Sequence, residues 1–158
     1  MNGRLESVDN RPALHFERHL DHSVERVWRA LTEPEELRRW YPGVPKWELA
    51  PGARFTNEEG QGGGEIIELD PPRVLAYSWG AERFRFELQP AGDGCLLVFT
   101  HVFDDQVLGA QHAAGWEAYL NRLDAHLAGG FLSEEDAHDV VPALHERYAA
   151  RFGLEVGG

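Results

Sequence analysis

The sequence predicts an α+β domain in which antiparallel strands pack against one long helix near the C-terminus. Two observations support this prediction. Residues 64–103 carry apolar side chains at alternate positions, as strands do, whereas residues 113–127 carry them at the three- and four-residue spacing of a helix. At 158 residues, the chain is long enough to bury about 70% of its unfolded surface without a disulfide or a metal.

A first strand and two short helices open the predicted domain. Leu14, Phe16 and Leu20 share one face of the strand, and Arg18 has the same parity. Ser23 suits the N-cap of a first helix. A second helix follows, since Thr32 and Glu35 have capping-box spacing and Pro34 suits a first turn; it closes with Leu37, Trp40 and Tyr41.

Five more strands are predicted after the helix pair, which gives a sheet of about six strands. In one of them Phe84, Phe86 and Leu88 alternate with charged residues, so that this strand has a dry face and a wet face. Glycine and proline turns separate the segments. The five strands lie near residues 53–58, 64–69, 73–79, 82–89 and 95–103.

The long helix carries the apolar stripe that we expect to lie across the sheet. It ends at Gly129 and Gly130, which stop a helix. We expect Trp116 at the centre of the contact between helix and sheet. The stripe consists of Ala113, Trp116, Leu120, Leu123 and Leu127.

Residues 131–158 form a helical extension of the domain at residues 1–130. Ser133 and Asp136 have capping-box spacing, and Pro142 predicts a kink or two short helices. An apolar stripe favours packing on the outside of the domain, with a dimer contact or a mobile lid as alternatives. This stripe comprises Ala137, Val140, Val141, Leu144 and Tyr148.

The order and spacing of these elements resemble the START-like, birch-pollen-allergen-like superfamily (SRPBCC), in particular the family related to the activator of heat-shock-protein-90 ATPase. The resemblance runs over roughly residues 14–129 and implies a helix-grip fold. In that fold a curved antiparallel sheet wraps around the long C-terminal helix and leaves an apolar cavity between them. A fold shared by carriers, cyclases and chaperone regulators implies no single activity. The matching segments are Phe16–Asp21, TEPEELRRWYP at 32–42, Gly64–Trp79, Leu96–Phe103 and Gly115–Leu127.

Charge and composition exclude several classes of partner. Fifteen basic against 27 acidic residues give a net charge of −12, which argues against nucleic acid and against an anionic membrane surface. No apolar run approaches the length of a membrane span, so membrane insertion is not expected. Cys95 is the only cysteine, and residues 1–10 lack an apolar signal core. A cytoplasmic protein, monomeric or homodimeric, is expected.

The sequence contains no recognisable catalytic or metal-binding motif. His15 and His19 share a strand face, but no third ligand follows at metal-site spacing. The glycine run at 60–64 leads into a strand and lacks the lysine of a phosphate loop. We therefore expect no catalytic residue, no metal and no cofactor.

Polar and aromatic residues on the apolar strand faces are the candidate ligand-binding residues. A cation, a phenol and an imidazole projecting into an apolar cavity are typical of a small-molecule site. Alternatively, Arg18 is paired structurally, with Glu68 as the candidate partner, and His101 is a hydrogen-bonded core residue. Packing in the core is the alternative to ligand contact for Trp28, Trp40 and Trp116. The candidates are Arg18, Trp40, Tyr77, Trp79, Phe84, Phe86, Phe99, His101 and Trp116.

Three functions are compatible with these observations. The favoured one is binding of a small apolar or amphipathic molecule, such as a lipid, between sheet and helix. The family resemblance implies a second, an interaction protein that regulates a heat-shock-protein-90-type chaperone ATPase in the stress response. The weakest is a cyclase-like or hydratase-like enzyme in which His101 and Arg18 polarise a carbonyl group.

Overall fold

The computed structural model describes residues 3–154 and contains one antiparallel sheet with helices packed on one face. The eight strands have the spatial order β1-β2-β8-β7-β6-β5-β4-β3, and each pairs with its neighbours in antiparallel register. The strands are β1 (Arg4–Val8), β2 (Arg11–Leu20), β3 (Pro45–Lys46), β4 (Arg54–Asn57), β5 (Gly64–Asp70), β6 (Val74–Trp79), β7 (Glu82–Ala91) and β8 (Gly94–Val102).

The sheet has two more strands than the sequence predicted, namely β1 and β3. Strand β1 pairs with the first half of β2 through a tight hairpin, in which Asp9 and Asn10 have φ values of 51° and 65°. Aspartate and asparagine tolerate this left-handed conformation and suit a two-residue turn. Four of the five β1 residues are exposed, so the segment lacks the alternation of buried and exposed residues that predicts a strand. Strand β3 has only two residues.

The helices are α1 (Val24–Thr32), α2 (Pro34–Leu37), α3 (Gly109–Leu127), α4 (Glu134–His138) and α5 (Val141–Phe152), with a 3₁₀ turn over Gln106–Leu108. The predicted N-cap at Ser23 is confirmed, since its hydroxyl accepts a 3.1 Å hydrogen bond from the Arg26 amide. The capping box at Thr32 is wrong: this hydroxyl donates to the Trp28 carbonyl within α1, 2.8 Å away. Helix α2 ends at Leu37, and the aromatic pair at 40–41 lies beyond it.

Helix α3 lies across the apolar face of the sheet, as in the predicted helix-grip fold. Cross-strand pairing places Phe16, Phe99 and Phe86 side by side on this face. The ring of Trp116 packs 4.5 Å from that of Phe99 between centroids. All five residues of the predicted stripe are buried: Ala113, Trp116, Leu120, Leu123 and Leu127.

Helix α5 packs along α3 and extends the core. Tyr148 is fully buried beside Phe16; its hydroxyl accepts a 3.0 Å hydrogen bond from the Gly3 amide and donates to Glu117 of α3. Pro142 lies in the first turn of α5, so the proline begins a helix after α4 rather than kinking one. Val140 of the predicted stripe is exposed. None of the described helices has the length and apolar character needed to span a bilayer.

Candidate functional site

A cavity of about 250 Å³ lies between α3, the sheet and the loop that follows α2. The loop is fixed at both ends: the Tyr41 amide donates to the Leu37 carbonyl at 2.8 Å, and the Val44 carbonyl accepts from the Glu58 amide at 3.1 Å. The lining is mostly apolar, as small-molecule sites are. It comprises Tyr41, Pro42, Gly43, Val44, Pro45, Phe55, Asn57, Tyr77, Trp79, Phe84 and Trp116.

Three stacked rings on neighbouring strands support one wall of the cavity. Tyr77 of β6 pairs with Phe84 of β7, which pairs with His101 of β8. The ring centroids of Tyr77 and Phe84 are 5.5 Å apart, and those of Phe84 and His101 are 4.5 Å apart. Trp116 packs edge-on against Phe84 at 5.8 Å, so helix and sheet meet at this row. The strand pairing therefore fixes the positions of these three rings relative to one another.

Two phenol hydroxyls meet at the cavity. Tyr41 from the loop and Tyr77 from β6 form a hydrogen bond through their hydroxyl groups. Burial raises the pKa of both phenols above the ordinary value of 10, because a phenolate would lose its solvation there. Both are therefore neutral hydroxyl groups at physiological pH.

His101 lies behind Phe84 and Trp116 and has hydrogen-bond partners on both ring nitrogens. The Trp116 indole N–H donates to Nδ1 at 3.0 Å, which leaves the proton of the neutral ring on Nε2. Nε2 donates to Glu82 Oε1 at 2.5 Å. Burial lowers the pKa of His101 to about 4 and outweighs the opposing effect of Glu82; nearby His112 lowers it further. Protonation of His101 would place an N–H at Nδ1, opposite the indole N–H of Trp116, and would break the hydrogen bond between them.

The structure brings four of the nine candidate residues together around the cavity: Tyr77, Trp79, Phe84 and Trp116. Trp40, Phe86 and Phe99 are instead buried in the core, where the Trp40 indole donates to the Ala30 carbonyl at 2.8 Å. His101 lies behind the wall, as described above.

Arg18 faces α3, away from the cavity lining. Its guanidinium donates to Asp124 at 2.7 Å and to Asn121 at 3.1 Å, so a helix residue neutralises it. Glu68, the partner considered from the sequence, binds Arg85 on the solvent face of the sheet instead. Strand parity identified the correct face for Arg18, but it gave no information on which residue of the helix would stand opposite.

Seven lining residues were not among the sequence-based candidates. Tyr41 lines the cavity, whereas Trp47 packs behind it against Phe55 and Tyr77. Prolines in a loop between a helix and a strand are a weak signal for a cavity wall. The missed residues are Tyr41, Pro42, Gly43, Val44, Pro45, Phe55 and Asn57.

Other parts of the described chain offer less defined sites. Across residues 3–154 no three His, Cys, Asp or Glu side chains are grouped so as to hold a metal ion. A larger depression of about 620 Å³ beside β4 and β5 is open to solvent and has charged residues of both signs, Lys46, Arg54 and Glu65. The aromatic cavity is the better enclosed of the two.

Fold and cavity together define a helix-grip protein with an aromatic-lined internal site. Residues 21–128 match the family described as activator of Hsp90 ATPase homolog 1-like protein, and the chain belongs to this family. The resemblance inferred from the sequence is thereby confirmed. A search of curated proteins found no match.

Solved structures share the fold over nearly the whole chain. The crystal structure of CalU16 from Micromonospora echinospora is 25% identical, with a TM-score of 0.78 over 96% of each chain. The solution structure of BPP1335 from Bordetella parapertussis is 26% identical, with a TM-score of 0.71 over 98% of this chain and 92% of that one. EF2215 from Enterococcus faecalis, described as a conserved protein of unknown function, is 23% identical, with a TM-score of 0.79 over 98% and 93%, and shows the fold alone. These similarities extend beyond residue 128 into the C-terminal helices.

Proposed function

We propose that this protein binds a small, mainly apolar molecule in the cavity between α3, the sheet and the 41–44 loop. The enclosed aromatic lining is the observation that carries the proposal. Apolar rings brought into such a site leave water and gain contacts with a wall that is already formed.

The size of the cavity favours a compact ring system over a long acyl chain. An engineered apolar cavity of roughly 150 Å³ in another protein takes up benzene. The present cavity has about 250 Å³, which suits one or two fused rings. Pro42, Gly43 and Val44 line it on the loop side.

Thermal unfolding with indane, a bicyclic hydrocarbon, tests the proposal. A ligand present at tenfold its Kd raises the free energy of unfolding by about 1.4 kcal/mol, because it binds only the folded chain. Val44→Trp places a large side chain at the cavity wall and should abolish the shift in Tm. The matched control is Val107→Trp, at an exposed position of the 3₁₀ turn, which should retain the shift. Equal shifts in both variants would contradict binding in this cavity.

Regulation of a chaperone ATPase is a second candidate, supported by the family match alone. It predicts that the purified protein changes the ATPase rate of an Hsp90-type chaperone and that Val44→Trp leaves this effect intact. An unchanged ATPase rate would count against it.

We do not propose catalysis by His101 and Arg18. Both nitrogens of His101 are engaged by Trp116 and Glu82, and Arg18 is paired with Asp124 on the helix. A cytoplasmic location remains a prediction; the buried thiol of Cys95 is compatible with a reducing compartment.

A further inference from the structure

The Tyr41–Tyr77 pair in the cavity has two hydroxyl protons, but the hydrogen bond between the two hydroxyls uses only one of them. When one of Tyr41 and Tyr77 donates to the other, the acceptor hydroxyl still carries its own proton. Among residues 3–154 neither hydroxyl has any other hydrogen-bond partner. Both rings line the cavity, and Tyr77 is only 4% exposed. One donor is therefore available to a molecule bound there.

The Asn57 side chain of the lining also has its donor free. Asn57 Oδ1 accepts a 2.8 Å hydrogen bond from the Gln61 amide, which fixes the oxygen and leaves the side-chain NH₂ as the remaining polar group. In the described chain this NH₂ has no hydrogen-bond partner. The free polar side-chain groups of the cavity therefore include donors and no carboxylate.

The lining also lacks a fixed charge. No Lys, Arg, Asp or Glu is among the lining residues, and the net charge of −12 disfavours an anionic ligand. Burial raises the pKa of both phenols, which keeps their protons in place at neutral pH. A neutral acceptor matches this environment better than a carboxylate does, because a carboxylate would be desolvated without a counter-charge.

We propose that the cavity selects neutral one- or two-ring aromatic molecules that carry a hydrogen-bond acceptor, such as an aryl ketone, and that the Tyr41–Tyr77 pair donates to this acceptor. The inference rests on the proposed binding function and adds the class of ligand. A hydrocarbon would leave the spare proton unbonded, whereas a ketone oxygen would accept it.

Comparison of indane with 1-indanone tests the inference, since the two differ by a carbonyl group on the same ring system. Dissociation constants are measured by titration calorimetry for the wild type and for the double variant Tyr41→Phe/Tyr77→Phe. The ratio Kd(indane)/Kd(1-indanone) is then compared between the two proteins. The cost of removing the carbonyl from water is the same in both cases and cancels. We expect the ratio to be about fivefold higher in the wild type.

The single variants and a control define the mechanism. Replacing both hydroxyls by the same ring shape leaves no unpaired partner, so the double variant should fold. In Tyr77→Phe or Tyr41→Phe the remaining phenol still has a proton to donate, and we expect the ketone preference to persist. Tyr119→Phe, a half-buried tyrosine outside this cavity, should leave both dissociation constants unchanged.

Each outcome bears on a different claim. A ratio that is equal in the wild type and the double variant, with indane still bound, overturns the donor inference and leaves the apolar site standing. Failure of the wild type to bind either compound at millimolar concentration overturns the proposed function, and the inference with it. A ketone preference lost already in one single variant would overturn the shared-pair mechanism and assign the donor to that tyrosine alone.

Discussion

His101 illustrates how a titratable side chain is buried beside an apolar site without carrying a charge. Its side chain is 3% exposed, Trp116 donates to Nδ1, and Nε2 donates to Glu82. The indole donor requires an unprotonated Nδ1, so the hydrogen bonds and the low pKa agree. The same bond anchors the Trp116 ring, which forms part of the cavity lining. The imidazole therefore holds part of the cavity wall in position and is not itself among the lining residues.

Acidification should destabilise the fold through His101. The pKa of this imidazole falls from an ordinary 6.5 to about 4 on folding, so between these pH values the unfolded chain binds a proton that the folded chain does not. Stability from this group is complete above pH 6.5 and is lost as the pH falls towards 4, by about 3 kcal/mol.

Urea unfolding between pH 7 and pH 4 measures this loss. His101→Gln keeps a polar side chain but does not titrate, so it should lose correspondingly less stability. His112, whose pKa is also lowered by burial, is present in both proteins. Parallel pH profiles for wild type and variant would contradict the assignment.

Trp116 should contribute to stability through both its ring and its indole N–H. Trp116→Ala leaves a cavity between α3 and the sheet and should lower the free energy of unfolding by about 3 to 5 kcal/mol. Trp116→Phe retains most of the ring but leaves His101 without its donor, at a cost of about 1 to 3 kcal/mol. Trp28→Phe, at a half-buried position outside the cavity, is the control in urea unfolding. An alanine variant as stable as the wild type would contradict the packing described here.

At the level of elements, α5 is part of the core although it lies outside the matched family segment. Leu144, Tyr148 and Ala149 are buried, and Tyr148 links Gly3 with Glu117 of α3. The apolar stripe in the sequence predicted a packed helix here. The hydrogen bonds of Tyr148 to Gly3 and to Glu117 could not be predicted, because they depend on how α5 packs against the segment before β1 and against α3.

Removal of residues 131–158 should destabilise the chain strongly. The truncation removes two large buried side chains, Leu144 and Tyr148. Each contributes about 1.5 to 3 kcal/mol to the free energy of unfolding by its burial. We expect the Tm of the full chain to be independent of protein concentration, since α5 packs on α3 of the same chain. Thermal unfolding over a hundredfold dilution measures this. A Tm that rises with concentration would instead indicate a dimer contact.

Tyr148→Phe separates the hydroxyl of this residue from its ring. The variant keeps the buried ring but removes the bonds to Gly3 and Glu117, and should cost about 1 to 3 kcal/mol in urea unfolding. Tyr119→Phe serves as the matched control, because its hydroxyl is 3.5 Å from Glu134 near the surface. Equal stabilities of the two variants would contradict a structural role for the Tyr148 hydroxyl.

For the whole molecule, periodicity predicted the regular elements that bury one face. Strands β2 and β4 to β8 and helix α3 follow apolar patterns that the core requires. The exposed edge strand β1 and the two-residue β3 have no such pattern and were missed. The cavity lining was predicted in part for the same reason. Strand parity identified Tyr77, Trp79 and Phe84, but the 41–44 loop that completes the cavity follows no period.

Charged side chains and aromatic side chains lie on opposite faces of the sheet. Charged side chains such as Arg85, Glu68 and Glu87 pair on the solvent face of the sheet, while the opposite face holds the aromatic rows. A net charge of −12 therefore coexists with a cavity lining free of charged residues. Two charged residues, Glu117 and Arg122, are buried, and neither lines this cavity.

The most direct test of the binding site is a titration with indane that is followed through the tryptophan indole N–H signals in ¹⁵N-correlated NMR spectra. The chain has five tryptophans, of which Trp79 and Trp116 line the cavity while Trp28 and Trp40 do not. We predict that the signals of Trp79 and Trp116 shift in a saturable manner, whereas those of Trp28 and Trp40 stay in place. Shifts confined to Trp28, or no saturable shift of any indole signal at millimolar indane, would contradict the central claim that this cavity binds small aromatic molecules.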